Sequence, residues 1–426
     1  MSGSGQTGVG VARFNGGMSP RLARPYFGWY VVFAAFCVAL FGWGFGFYGL
    51  AVYLVELRAL RGWSAGLIGS AATLYYLAGA LLLAFYDSAL ARVGQRGTLL
   101  IGVAAMAAGV SSLPFVDTPW QLVGAYLVMA VGWSAMSLTA VTALVAPWFD
   151  RDRGLAMSLA LNGASCGGIV LAPGMMWLTS EYGFGAAVGV CVMLMLAVLV
   201  PVAFLVVGRM PREPAGRGEP APPPALRRPA GANPTRRELL GSGAFWTVAA
   251  PFALGLMAQV GFITHQVAFL EPQLGAAGAG LALALTTIAA VAGRVALGAV
   301  IDRLEPRATT AACLVSQAAA LLAMTWTDSA SALYTASVVF GLSVGNLITL
   351  PALIVQREFP AAVFVVTVAL IAATCQVVYA FGPALLGLLR DAAGDYGPAL
   401  ALCVVLELTA AAGLYAGGRA PYIRGT

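Results

Sequence analysis

The stretch PREPAGRGEPAPPPALRRPAGANPTRREL, residues 211–239, is rich in Pro, Gly and Arg and has no apolar periodicity. It reads as an extended or disordered linker. Either side of it the chain is almost continuously apolar, and a helix needs roughly 20 apolar residues to cross a ~30 Å hydrocarbon core. That length selects six candidate spans before the linker: 28–54, 64–86, 98–116, 121–146, 155–179 and 184–207. It selects six more after it: 245–270, 278–301, 308–326, 331–355, 362–388 and 398–417. The linker therefore cuts the chain into two equal sets of six. The expected domains are a tail 1–27, a first bundle 28–207, a linker 208–241, a second bundle 242–417 and a tail 418–426.

Composition agrees. Of 426 residues 60% are hydrophobic and only 9% charged, with a mean hydropathy of +0.87. Soluble domains carry about a quarter charged residues, so lipid is the solvent for most of this surface. In lipid every backbone group must be satisfied internally, and runs of this length do so as helices. The fold class read from the sequence is an all-α integral membrane protein with twelve spans in two six-helix bundles.

Every basic residue is an arginine, 23 in all. With the N-terminus inside, 19 of the 23 fall in the tails and the even-numbered connections, seven of them in the linker. Only Arg58, Arg61 and Arg390 fall on the other side, and Arg294 alone lies within a span. By the positive-inside bias, both termini and the linker are expected to be cytoplasmic, in the inner membrane of the cell. The six cysteines are scattered through apolar runs with no metal-ligand spacing, so no metal is expected. There is no phosphate-binding loop and no catalytic cluster, so the sequence implies neither an enzyme nor a cofactor. The expected partners are lipid, a small solute and protons, with no nucleic acid, and the chain is expected to act as a monomer.

Two connections carry a repeated pattern. Span eight ends in Gly298-Ala-Val-Ile-Asp302-Arg303, and span two is followed by Asp87, Arg92, Gly94 and Arg96. This resembles the G-x-x-x-D-R-x-G-x-R loop of the major facilitator superfamily of secondary transporters. The first copy departs from it, with Ala91 at the acidic position and Asp87 a turn earlier. The stretch APWFDRDRGLAMSLALNGASCGG, 146–168, resembles the approach to span five in monocarboxylate-transporter and oxalate/formate-antiporter-like members. Trp148, Phe149, Arg153, Leu155, Ala156, Gly163 and Gly167 match, and Ser158 stands where a Gly is usual. Further matches are GWS at 62–64, FW at 245–246 and GPALLGLLRDAAGDYG at 382–397. The resemblance implies two bundles rocking about a central site.

Arg294 lies eight residues before Asp302, so it sits about 12 Å from the cytoplasmic surface, near mid-membrane. An arginine there costs roughly 2.5–3.5 kcal/mol on insertion and should face protein or a water-filled cavity. In the monocarboxylate-like family an Arg in span eight, four residues before a Gly, binds the substrate carboxylate, and Arg294 and Gly298 reproduce that spacing. A guanidinium keeps its charge and matches a carboxylate with two parallel hydrogen bonds. The competing reading is an ion pair with Glu407, the only acid deep in a span. The eukaryotic carriers also have an Asp four residues before that Arg and a Lys in span one; here position 290 is alanine and span one has no base.

Asn162, Asn346 and Gln376 are further candidates for the cavity, with Trp133 and Tyr76 as its aromatic wall, alongside Tyr48 and Tyr75. Helix–helix hydrogen bonding is the plainer role for each polar residue. His265, near the outer end of span seven, and Glu407 are the candidates for proton coupling. The expected function is transport of a small organic anion, a monocarboxylate in the first instance, by proton symport or anion exchange. The alternative is a proton-coupled exporter of hydrophobic or cationic compounds. That alternative calls for a buried acid in the first bundle, where spans one, two, four and five offer none in their interiors.

Overall fold

The computed structural model describes residues 26–149, 153–209, 236–360 and 363–417; the side chains of Asp87, Arg153, Asp302 and Val365 also lie outside that description. All regular structure among the described residues is helical. Eleven helices are long and apolar enough to span a membrane. One of them, Gly243–Val300, has 58 residues and would be about 87 Å long if straight. It is not straight. At Gly275 the backbone turns to φ 69°, ψ 170°, a region almost restricted to glycine. Gln266 then donates to the Thr286 hydroxyl at 2.8 Å, twenty residues on, so the segment doubles back as spans seven and eight. The twelve expected crossings are thereby present.

The remaining boundaries follow local chemistry. Gly62, at φ 65°, closes span one in the left-handed conformation, and Ser64 caps the start of span two by accepting from the Leu67 amide. Thr118 and Gln121 form a reciprocal capping box at span four. Span three starts earlier than its hydropathy suggests, because Tyr86–Ser112 is helical on both sides of a break at Gly94 (φ 70°, ψ 172°). The end of the segment read as linker, Arg236–Gly241, is a short helix; residues 1–25, 210–235 and 418–426 lie outside the described residues.

Glycines set how closely helices approach. A Cβ on Gly163 would collide with the Phe36 carbonyl, and one on Gly167 would meet Leu40 and Gly44, so spans one and five pack backbone to backbone. Gly293, Gly341 and Gly345 do the same for spans eight and ten, against Leu342, Thr286 and Ala290 respectively. In a bilayer such packing replaces the hydrophobic effect as the force between helices.

The end of the molecule bearing the linker is held by arginines. Arg96 donates to the carbonyls of Ala203 and Val207, capping span six with a cation as the helix dipole favours. Arg307 is buried, pairs with Glu358 at 2.6 Å and reaches the Thr247 hydroxyl and the Leu414 carbonyl, tying spans seven, nine, ten and twelve together. Of the loop-motif residues, Arg92 and Arg303 are exposed, Gly94 forms the break before span three, and a Cβ on Gly298 would meet nothing within 4 Å. The carboxylates of Asp87 and Asp302 lie outside the described side chains.

The two bundles meet mainly at the opposite end, called here the far end. Span eleven packs along span two there, and spans seven and eight pack against spans one and five. At the linker end Leu138–Val145 and Leu350–Glu358 pack chiefly within their own bundles. Span eight accordingly changes character along its length: Ala279 to Ala290 is largely buried, and the residues after Arg294 are mostly exposed. The structure is closed at the far end and open at the linker end.

Candidate transport site

Five spans are interrupted near mid-depth. Span one makes a π turn at Gly44–Tyr48 and span five another at Gly167–Leu171, just before Pro173. Span four breaks at Met136 and restarts at Leu138; span ten breaks at Asn346–Ile348 and restarts at Leu350 before Pro351. Span eleven is interrupted between Tyr379 and Gly382, ahead of Pro383. Spans four and ten, and five and eleven, are equivalents in the two bundles. Proline lacks the amide that continues a helix, and interruptions at corresponding positions of two repeats mark where a transporter binds its cargo.

Arg294 points into this level. Helical side chains lean toward their helix's N-terminus, which for span eight is the far end. Its Nε donates to the Gly345 carbonyl at 3.3 Å, in the broken part of span ten. None of the ion pairs among the described residues involves it. The competing pair with Glu407 is not formed. Glu407 is fully buried on span twelve, its carboxylate oxygens have no hydrogen-bond partner, and that helix packs between spans seven and nine. Position 290 is buried alanine behind Gly345.

Opposite Arg294 stands Tyr48, the last residue of the span-one π turn. Its ring and the Thr287 hydroxyl of span eight both lie beside Gly168, and its hydroxyl is within electrostatic reach of the guanidinium. Thr287 donates to the Leu283 carbonyl within its own helix. The absence of a side chain at Gly168 makes room, since a Cβ there would come within 2.9 Å of the Tyr48 ring. Sequence reasoning placed Tyr48 in the wall but missed Thr287, a threonine like any other in an apolar run.

Farther from the opening the aromatic wall closes over. Trp133 packs on Trp43 at 5.2 Å and on Tyr76 at 6.5 Å, and Tyr76 meets Tyr379 of span eleven edge to face at 5.6 Å. Tyr379 is thus the second bundle's share of this ceiling, and it was not singled out from sequence. Gln376, one turn before it, is half-buried with its amide nitrogen unpartnered, as is the fully buried Tyr76 hydroxyl. Asn346 turns away, donating to the Leu342 carbonyl at 3.1 Å toward Cys313 of span nine. Asn162 is half-buried on span five beside Gly163. His265 is not open to the far side as its position suggested: it is buried, with Nε2 2.9 Å from the Pro383 carbonyl and Nδ1 3.1 Å from the Tyr396 hydroxyl. A carbonyl only accepts, so Nε2 carries the proton and Nδ1 accepts from Tyr396 in the neutral ring.

Tyr75 has a separate task. Its hydroxyl donates to the Gly46 carbonyl within the span-one π turn at 2.8 Å. Removing the hydroxyl loses this buried hydrogen bond, at a cost of about 0.5–1.5 kcal/mol. Tyr75→Phe should therefore lower the thermal midpoint in detergent, and Tyr76→Phe, which loses only an unpartnered hydroxyl, should not.

Two six-helix bundles, closed together at one end around interrupted helices, define a polytopic membrane transporter. Residues 31–383 match the Major Facilitator Superfamily, and the chain belongs to it. Among curated relatives it is 29% identical over 138 residues to an MFS-type transporter, pynF, of Aspergillus niger, covering 32% of this chain but only 31% of that protein. It is 28% identical over 340 residues to MFS-type transporter 1 of an Ophiocordyceps species, covering 77% and 71%. Over 101 residues it is 36% identical to a putative anionic 4-hydroxy-benzoate permease of Thauera aromatica, covering 24% of this chain and 61% of that one. The fold is shared with a bacterial homologue of the human lysosomal transporter Spinster in its inward-facing form, at TM-score 0.66 and 15% identity, covering 93% and 98%.

Proposed function

We propose that this chain carries a small organic anion, most simply a monocarboxylate, by alternating access. The observation that carries the reading is Arg294: a half-buried guanidinium on span eight, beside the interrupted part of span ten, whose one hydrogen-bond partner among the described residues is a backbone carbonyl. A carboxylate supplies the missing charge. The aromatic ceiling suits an organic body, and the permease relative is named for an anion of this class. The arginine bias argues that the linker end is cytoplasmic and the membrane the inner one, which makes this the inward-open state. Each bundle contributes to the site, so one chain suffices.

The test is uptake into proteoliposomes of labelled formate, lactate, pyruvate, oxalate, benzoate and 4-hydroxybenzoate. At least one should accumulate above the empty-vesicle level. Stimulation by an imposed pH gradient identifies symport; dependence on a preloaded anion identifies exchange. Transport of lipophilic cations with none of the acids would sink the reading in favour of a proton-coupled exporter.

A further inference from the structure

At the far end the seam between the bundles is made by spans two and eleven, and it is unusually close. A Cβ on Gly69 would collide with the Pro383 carbonyl, and one on Gly387 with the Ala65 carbonyl. Across this seam Asp391, near the end of span eleven, accepts from the Ala65 amide at 3.1 Å and the Gly66 amide at 2.6 Å. These are the first two amides of span two, which have no partner within their own helix. Ser64 satisfies the next one, from Leu67, so span two is capped half by its own bundle and half by the other. The carboxylate meets the positive end of the helix dipole, and charged acceptors make the stronger bonds. Arg390 approaches Asp391 at 3.5 Å, a looser contact that leaves both amide bonds in place.

We propose that Asp391 is the clasp of the far gate: a carboxylate of the second bundle that serves as the N-terminal cap of a helix in the first, formed whenever the far end closes and broken each time it opens. The inference rests on alternating access and not on the identity of the cargo. A cap within one bundle survives the rocking of the halves; a cap donated from the other bundle cannot. Removing it biases the molecule toward the far-open state while leaving Arg294 and its surroundings as they are. Gly66 belongs to the same device, because a Cβ there would stand 2.7 Å from the Asp391 carboxylate and press the helices apart.

The experiment is a pulsed dipolar distance measurement on the full chain in proteoliposomes, native cysteines replaced, with spin labels at the exposed far-end positions Ser180 and Gln273. In Asp391→Asn the ratio of long (far-open) to short distances should rise about tenfold over the parent. Gly66→Ala should shift it the same way, and Asp391→Glu should restore part of the parent distribution. A purely structural cap would lower the thermal midpoint and leave the distance distribution alone. If both variants fold and keep the parent's distance distribution, the clasp is overturned. If Asp391→Asn does not fold, Gly66→Ala decides by the same criterion. Absence of uptake of any acid by the parent counts against the cargo reading and leaves these distances to be judged by themselves.

Discussion

Arg294→Ala should reduce uptake of the transported acid by about 30-fold or more, since truncating one partner of a desolvated charge pair costs about 2–5 kcal/mol. Arg294→Lys should fall between, because an ammonium keeps the charge but loses the planar fork. The stability readout runs the other way. Among the described residues Arg294 has no carboxylate partner, and its one hydrogen bond there is to Gly345 at 3.3 Å. Placing an arginine at mid-membrane costs roughly 2.5–3.5 kcal/mol, so its removal should leave the thermal midpoint in detergent unchanged or higher. Loss of transport without loss of stability is the signature of a residue kept for binding. A variant that moves the acid as well as wild type rules out Arg294 as the anion site; one that loses stability and transport together makes it a structural tie between spans eight and ten.

The same residue marks where sequence reading succeeds and where it stops. Its place beside the interrupted spans was legible because one charge stands out in an otherwise apolar helix. The two bundles were legible because a polar linker interrupts lengths that only spans explain. What surrounds Arg294 was not legible. Tyr48 ends the span-one π turn and comes beside Thr287 where Gly168 leaves room, a meeting of spans one, five and eight. Asp391 and Gly66 are 325 residues apart, and Tyr76 and Tyr379 meet only because the bundles close on each other. His265 looked like a residue near a span end; Tyr396 and Pro383, both distant in sequence, enclose it. Glu407 was a candidate partner for Arg294, and spans seven and nine cover it instead. Patterns along one helix can be read from the chain, but pairings between helices depend on rotation and tilt, which hydropathy does not encode.

Gly293→Ala should be among the most damaging single-methyl changes in the second bundle. The added Cβ would collide with the carbonyl of Leu342, a backbone atom that cannot rotate aside as a side chain would. Spans eight and ten must then separate, at the upper end of the 1–3 kcal/mol typical of overpacking. Their separation also draws Gly345 away from Arg294, so transport should fall along with the thermal midpoint. Gly298→Ala is the matched control: it adds the same methyl to the same helix, just over one turn later, where nothing lies within 4 Å. There alanine's better helix propensity should leave stability equal or slightly raised, by up to about 1 kcal/mol. Equal midpoints for the two variants would mean that spans eight and ten do not touch through Gly293. A damaging Gly298→Ala with normal stability would place the demand for that glycine in the state closed at the linker end, where Gly298 must meet the other bundle.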